Sequence, residues 1–436
     1  MVLLTNMRQR TTFALGSRLP GPPLARAGAG KALGKSPSLQ PPAYSLEPSL
    51  VNANSLSGIK VAISCSGLEH VRRGVEAWSQ EAFLGLRERG VDVTLFKGSG
   101  SNGLAQVSVV PCIRRESRLS QALTKALPSW GWRVGFGSSY QMEQTTFAVN
   151  LLAAVGRRFD LLHTKDPQVA LLMHRANRAG MSRAKVILNH GTEESPEFLK
   201  RFDYIQHLAP FHRDEALRQG VRAKRQFAIP NLVDTDKFSP GSGAALRQRL
   251  GIPQEAFVIL CVAAIKRHHK RIDWLLQEVA RVPQEVEVPI HLLIVGAKTS
   301  DTESLRELGA QLLGERVHVL IDHSHNDMPE VYRAADLFVL CSLKEMLASA
   351  RLEALASGVP CLMHREPVAE WVVGEGGALV DMTVPGALAE AIGRLRQPQL
   401  RAAMAARARA QAVARFSKSS VLDQQLAMYE QVMGSS

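Results

Sequence analysis

Cysteine is scarce in this chain. Cys65, Cys112, Cys261, Cys341 and Cys361 lie scattered, with no CxxC pair and no metal-ligand spacing. Three of the five sit in or beside apolar runs, as buried thiols in a reducing compartment do, so neither disulfides nor a metal site is expected. Aromatic residues make up only 6%, and no stacking motif accompanies the basic stretches, which argues against a nucleic-acid partner. Long apolar runs are missing too. FVILCVAAI and VALLM fall far short of the roughly 20 residues needed to span a bilayer. The first glycine-bearing loop reads GLEHVRRGVE rather than GxGxxG, which disfavours a dinucleotide cofactor, and no cofactor is expected. Acidic residues are absent from residues 1–46, which carry Arg8, Arg10, Arg18, Arg26, Lys31 and Lys35 among many Gly, Pro and Ser. Such a leader cannot bury a core and is expected to be disordered. An organelle transit peptide, a nonspecific tail and an early start codon are the open readings, and no amphipathic helical pattern favours the first.

What remains has the composition of a globular protein. The chain has 436 residues, 45% of them apolar and 21% charged, and its length suits two domains better than one core. A formal charge of +13 suits a polyanionic ligand or an anionic membrane surface.

From Ile59 onward, strand-like and helix-like segments alternate. KVAISCS reads as a strand, VEAWSQEAFLGLRER as a helix stopped by Gly90, and VDVTLF as a second strand. Then CIRRESRLSQALTKALPSWGWRVGFG places Leu119, Leu123 and Leu127 at helical spacing beside Arg114, Arg115, Arg118 and Lys125. That pattern fits an interfacial helix or an ordinary surface helix with a basic face. Residues 98–150 otherwise read as irregular and are expected to build acceptor pockets. Alternation resumes through FDLLHTKDP, QVALLMHRANRAG, AKVILNHG and FDYIQHLAP. A polar Pro/Gly-bearing connection, PNLVDTDKFSPGSG, follows RQFAIPN. A second set of strand–helix units runs from FVILCVAAI to GALAEAIGRLRQ, and Pro398 to Met433 reads as helical throughout. The implied architecture is α/β, with two doubly wound parallel sheets facing a cleft, and ligands belong at the carboxyl ends of the strands.

The stretch SLKEMLASARLEALASGVP carries Glu345 and Glu353 eight positions apart. A helix is expected to start near Ala348 or Ser349 and to stop at Gly358. Because SLKE matches a capping box, Glu345 could simply satisfy a backbone N–H. The alternative is a ligand site, since a strand end meeting a helix start can hold an anion. Upstream, AAIKRHHKRIDWLL sets Lys266, Arg267, Lys270 and Arg271 at the end of a buried strand, where charge is not needed for solubility. VILNHG puts His190 at another strand end, ahead of His163 and His212 as a candidate lining the cleft. In IDHSHNDM, Asp322, His323 and His325 lack a third partner at metal spacing.

Taken together, over roughly residues 58–430, these segments resemble family-4-type retaining glycosyltransferases of GT-B fold (glycosyl transferases group 1). The features that carry the resemblance are the Glu-x7-Glu pair with EALASGVP after it, the basic loop, and the linker IPNLVDTDKFSP. The resemblance implies that Glu345 contacts a donor sugar and Glu353 holds ribose hydroxyls. It implies that Lys266, less directly Arg267, and Lys270 grip a diphosphate together with N–H groups at Ala348 and Ser349. His190 would face sugar and acceptor, and Arg73 and Gly74 would border the donor phosphates. The implied catalytic set is Glu345, His190 and Lys270. Met328 and Tyr332 would pack near the donor base. The family's usual Phe-Gly after the first glutamate is Leu347-Ala348 here, and an alanine fits only where φ is negative. Its usual Gly-Arg is Ala264-Ile265, so Lys266 would replace the arginine as a point charge.

The implied activity is transfer of a sugar from a nucleoside diphosphate sugar to a hydroxyl of a glycan or lipid-linked acceptor. Configuration would be retained through front-face attack, in cell-envelope or exopolysaccharide synthesis. A noncatalytic sugar-nucleotide scaffold and a GT-B epimerase or phosphorylase are the rival readings. The implied boundaries are a leader over 1–56, an acceptor-side domain over 57–229 and a nucleotide-sugar domain over 230–415. A terminal helix over 416–436 would pack back on the first domain. The expected location is the cytoplasm, with attachment to an inner membrane or organelle targeting left open.

Overall fold

Short apolar runs become the central strands, buried on both faces as parallel sheets require, while the edge strands are only half-buried. The computed structural model describes residues 56–434 apart from 72–73, 104, 127–130, 132–134 and 284–287. The expected leader, save Leu56, and the expected site residue Arg73 lie outside the described residues. Seven strands form one sheet: β1 (Lys60–Cys65), β2 (Asp92–Lys97), β3 (Val107–Val109), β4 (Leu161–Thr164), β5 (Lys185–His190), β6 (Tyr204–His207) and β7 (Arg225–Ala228). Their order is β3-β2-β1-β4-β5-β6-β7. Six more form the second: β8 (Phe257–Val262), β9 (Ile290–Gly296), β10 (Val317–Ile321), β11 (Leu337–Leu340), β12 (Cys361–His364) and β13 (Gly377–Val380), in the order β10-β9-β8-β11-β12-β13. Every pairing among them is parallel. The strand order reverses beside β1 in one sheet and beside β8 in the other, which sets a crevice at each carboxyl edge.

Helices cover both faces of each sheet. On one face of the first sheet, Trp78, Phe83 and Leu86 of the Gly74–Glu88 helix meet Leu426 and Tyr429 of the Lys418–Met433 helix. On its other face lie Phe147 and Leu151 of the Ser139–Val155 helix and Val169 and Met173 of the Pro167–Arg178 helix. The second sheet has one large core around Val258, Leu292, Phe338 and Leu355. The terminal helix is thus part of the first core, and its Tyr429 hydroxyl lies 2.8 Å from His163 Nδ1.

Three segments differ from the sequence reading. Residues 139–155 are helical rather than irregular, with Ser138 Oγ accepting from the Gln141 N–H at 3.1 Å as N-cap. This helix shows no clean apolar stripe because its buried face includes Glu143, Gln144 and Thr145. The stretch 398–433 is two helices, Pro398–Phe416 and Lys418–Met433, broken at Ser417. There Val233 donates to the Phe416 carbonyl at 2.8 Å and accepts from the Lys418 N–H at 3.1 Å, so the chain's two crossings between the halves are hydrogen-bonded to each other. Finally, the Arg118–Ala126 helix leaves Leu119 57% exposed and buries Ser120, so its leucines do not all face inward. Arg115, placed on the basic face by spacing, instead gives its guanidinium to the buried Glu143.

In the linker, Asp234 accepts from the N–H groups of Asp236 and Lys237 at 3.0 and 2.9 Å, and Phe238 is buried edge-on to Tyr332. Among the described residues no helix is long and apolar enough to cross a membrane.

Candidate active site

The carboxyl ends of β8 and β11 bring the two charged motifs together. Lys270, in the loop after β8, pairs through Nζ with Glu345 Oε1, in the loop after β11. Both side chains are largely buried, at 16% and 12% exposure. Burial works to raise the Glu345 carboxyl, but the Lys270 charge and hydrogen bond, with Ser342 and His269, together hold the group below its ordinary value. Glu345 therefore does not cap the following helix: that helix begins at Ser349, and its N-cap, Ala348, makes no side-chain cap bond. The capping-box reading gives way for a simple reason. Met346 to Ala348 are non-helical, so the glutamate falls outside the first turn.

Ala348 has φ −70° and ψ 120°, so alanine fits where the resembling family carries glycine. Leu347 is buried at 6% exposure. The first N–H groups of the Ser349–Ala356 helix have no side-chain acceptor, which leaves the dipole's positive end open to an anion.

The basic loop is under backbone strain. His269 and Arg271 adopt φ of 68° and 51°, unusual for side chains of their size. Arg271 is held there by donating to the Met382 carbonyl at 2.9 Å and by lying 4.5 Å over the Trp274 ring. His269 Nε2 lies 3.1 Å from the Lys344 carbonyl and 3.7 Å from Glu345 Oε1, so it ties the two loops together. Lys266 is half-buried and makes no ion pair among the described residues. Arg267 departs from the expected role. Its guanidinium is spent on Ser304 at 3.3 Å and Asp273 at 3.7 Å, because the turn points it along the surface.

Around Glu345 opens a cavity of about 420 Å³ lined by Gly191, Thr192, Glu193, His269 and Lys344 to Leu347. The two halves meet across it, with Lys344 Nζ 2.9 Å from Glu193 Oε1. His190 is adjacent but does not line it. That ring is buried, with Nδ1 3.0 Å from His207 Nδ1. Burial, then the His207 neighbour, pulls His190 down to about 3; burial also pulls His207 and His212 to about 4, so all three imidazoles are neutral at pH 7. Strand geometry explains the displacement: the residue after the strand, Gly191, reaches the cavity, and the last strand residue turns into the protein.

Glu353 faces elsewhere. Its carboxylate accepts from the Tyr332 hydroxyl at 2.7 Å. It borders a narrow gap of about 20 Å³ shared with Trp78, Glu81, Asn231, His325 and Ser349. Burial raises Glu353 to about 6, and burial together with the facing Glu353 charge raises Glu81 to about 7. Tyr332 is thus a hydrogen-bond donor as well as a packing residue. Gly74, at the start of its helix, lies opposite Ser349: a Cβ there would stand 3.7 Å from Ser349 Oγ. The structure therefore pairs Lys270 with Glu345 just ahead of the Ser349–Ala356 helix, and sets Gly74 across from Ser349, which borders the Glu353 gap. It sets His190 behind one wall and turns Arg267 away.

Several residues were not legible as site residues. His269 sat inside a charge run, and Glu81 looked like one more exposed helix carboxylate. Arg351 lies on a helix, yet it is 1% exposed, with Nη1 3.7 Å from Glu366 and with Nε and Nη2 unpartnered among the described residues. Its i, i+4 relation to Leu355 was the available signal.

Comparison with known proteins bears on this geometry. Residues 256–397, the second sheet with its helices and the whole of the Lys270–Glu345 pair, match the family Glycosyl transferases group 1. Among solved structures, a sucrose-phosphate synthase from Thermosynechococcus elongatus superposes with a TM-score of 0.69, covering 87% of this chain and all of that one at 19% identity. An Anabaena protein, HepE, in complex with UDP and glucose, superposes with a TM-score of 0.66, covering 85% and 98% at 18% identity. The fold is GT-B. Among curated relatives, the D-inositol 3-phosphate glycosyltransferase of Mycolicibacterium smegmatis is 32% identical over 210 residues, 46% of each chain. That of Corynebacterium urealyticum is 33% identical over 209 residues, 45% of this chain and 49% of the relative. The chain spans about half the length of the curated relatives it matches.

Proposed function

We propose that this GT-B protein is a glycosyltransferase that moves a sugar from a nucleoside diphosphate sugar to an acceptor hydroxyl with retention of configuration. The observation that carries the reading is the Lys270–Glu345 pair at the strand ends, with Glu345 lining a cavity between the two halves. In this structure the Glu345 carboxylate is the anion on Lys270. A donor diphosphate is the stronger anion there: it takes Lys270, Lys266 and the N–H groups at Ser349, and releases Glu345 toward the sugar hydroxyls. As the sugar–phosphate bond breaks, charge grows on the departing diphosphate, and preorganised cations and N–H groups stabilise it most at that point. The diphosphate oxygen that departs then takes the proton of the attacking acceptor hydroxyl on the same face.

UDP-sugars are the first donors to test, since the HepE neighbour is described in complex with UDP and glucose. An inositol phosphate is an acceptor to test, on the strength of the relatives' names. A cell-envelope role would follow from such products. One feature favours the scaffold reading instead: Ile265, buried at 1% exposure, stands where the resemblance calls for an arginine. Turnover assays with UDP-, GDP- and ADP-sugars and polyol phosphate acceptors separate the two. Transfer abolished by Lys270→Ala supports the enzyme; tight nucleotide binding without transfer or donor hydrolysis supports the scaffold.

A further inference from the structure

Lys165 is 3% exposed and follows β4, yet it forms no ion pair among the described residues. A buried ammonium without a carboxylate is costly, so its surroundings call for explanation. Its Nζ donates to Asn231 Oδ1 at 2.5 Å and lies 4.7 Å over the Trp78 ring. Asn231, itself 5% exposed in the linker, donates through Nδ2 to the Leu347 carbonyl at 3.2 Å. The amide orientation is dictated by chemistry: lysine offers only donors and a carbonyl only lone pairs, so the oxygen must face one and the nitrogen the other. The stem of Lys165 also packs under Gly191, whose Cβ position would lie 3.6 Å from Lys165 Cδ. Gly191 and Leu347 line the same cavity from opposite halves of the molecule.

We propose that Lys165 and Asn231 are positioning residues: a buried relay from the end of β4 through the linker that fixes the Leu347 carbonyl, and with it the loop presenting Glu345 to the donor. The inference rests on the donor-site reading for its functional meaning, while the relay itself is a statement about loop order. Removing the Lys165 donor frees the Asn231 amide to rotate. Removing the Asn231 donor frees the Leu347 carbonyl, and residues 342–349 lose a buried anchor, leaving the exposed Lys344–Glu193 pair. Burial pulls Lys165 down to about 7, so the relay is held by a group whose charge is already expensive, which is why an aspartate partner would suit it better for stability alone.

That contrast supplies the test. Asn231→Asp keeps an acceptor for Lys165 and gives it a counter-ion, but sets a carboxylate oxygen against the Leu347 carbonyl. Its melting temperature should equal or exceed that of the unmodified protein. Amide hydrogen exchange across residues 342–349 should nevertheless quicken about tenfold, and UDP affinity by calorimetry should fall about tenfold, the worth of one buried hydrogen bond. Lys165→Met should quicken the same exchange, and Lys165→Gln, which retains an N–H donor, should restore part of the protection. A purely structural role makes exchange and affinity follow the melting temperature in every variant, and that result overturns the proposal. So does unchanged exchange in both Asn231→Asp and Lys165→Met. If the unmodified protein binds none of UDP, GDP and ADP, the donor reading fails, and the exchange measurement still decides the relay.

Discussion

Glu345 and Glu353 lie eight residues apart in one loop–helix segment, yet their surroundings push them in opposite directions. Glu345 borders an open cavity, pairs with Lys270 and is held below the ordinary carboxylate value. Glu353 borders a gap with room for about one water, has a neutral tyrosine hydroxyl as its partner and is raised to about 6. One site is electrostatically prepared for exchange of anions. The other is closed over by the Gly74–Glu88 helix through Trp78 and Glu81. The difference teaches that a donor spanning both glutamates needs the two halves to part at the second site, while the first is already accessible. On the proposed donor reading, binding would be coupled to domain opening at Glu353 and nearly independent of it at Glu345.

The comparison can be broken most severely at the charged pair. Lys270→Ala strips Glu345 of its partner and the site of its main cation, and transfer from a nucleoside diphosphate sugar should fall by about 10²–10³-fold, as when one stabilising donor is lost from a reacting centre. Steady-state kinetics with donor varied checks this, and intact donor affinity in the variant would remove Lys270 from the diphosphate site.

The next effect is on stability, with opposite signs for the two glutamates. Glu345 is depressed, so its contribution is present above pH 4.5 and is lost as pH falls below that value. Glu353 and Glu81 are raised, so theirs is full below pH 4.5 and is lost as pH climbs through about 6 and about 7. Glu353→Gln keeps an acceptor for Tyr332 while removing the charge, and should stabilise the protein at pH 8 by about 1–2 kcal/mol. Thermal melts of the variant and the parent should converge at pH 4.

Acid should also act through the buried imidazoles. His190, His207 and His212 are neutral when folded and charge near 6.5 when unfolded, so they draw stability down as pH falls from 6.5 toward 4. His207→Gln should flatten that limb of the melting profile. The smallest effect belongs to the exposed Lys344–Glu193 pair across the cavity mouth. Lys344→Ala should change stability by less than about 1 kcal/mol, and whatever it changes should vanish in 0.5 M salt.

The sequence made the sheets legible because parallel strands buried on both faces leave unbroken apolar runs, and glycines such as Gly90 and Gly358 punctuate the helices between them. The family resemblance assigned the basic loop and Glu345 to one site, but the direct Lys270–Glu345 pair was not legible in the sequence. The Ser139–Val155 helix was hidden because Glu143 and Gln144 occupy its buried face. The environment of Glu353 was hidden because nothing local announces that Glu81, some 270 residues earlier, will face it. The Lys165–Asn231 relay was hidden for the same reason: its three members belong to a strand end, a linker and a loop. Long-range polar contacts of this kind leave no periodic trace.

The central claim is that a donor diphosphate occupies the place of the Glu345 carboxylate on Lys270. Its most direct test is the crystal structure of the protein soaked with UDP. The account predicts both phosphates within hydrogen-bonding distance of Lys270 Nζ and the N–H groups at Ser349 and Ala350, with Glu345 released from Lys270. A nucleotide bound elsewhere, with the Lys270–Glu345 pair intact, would contradict it.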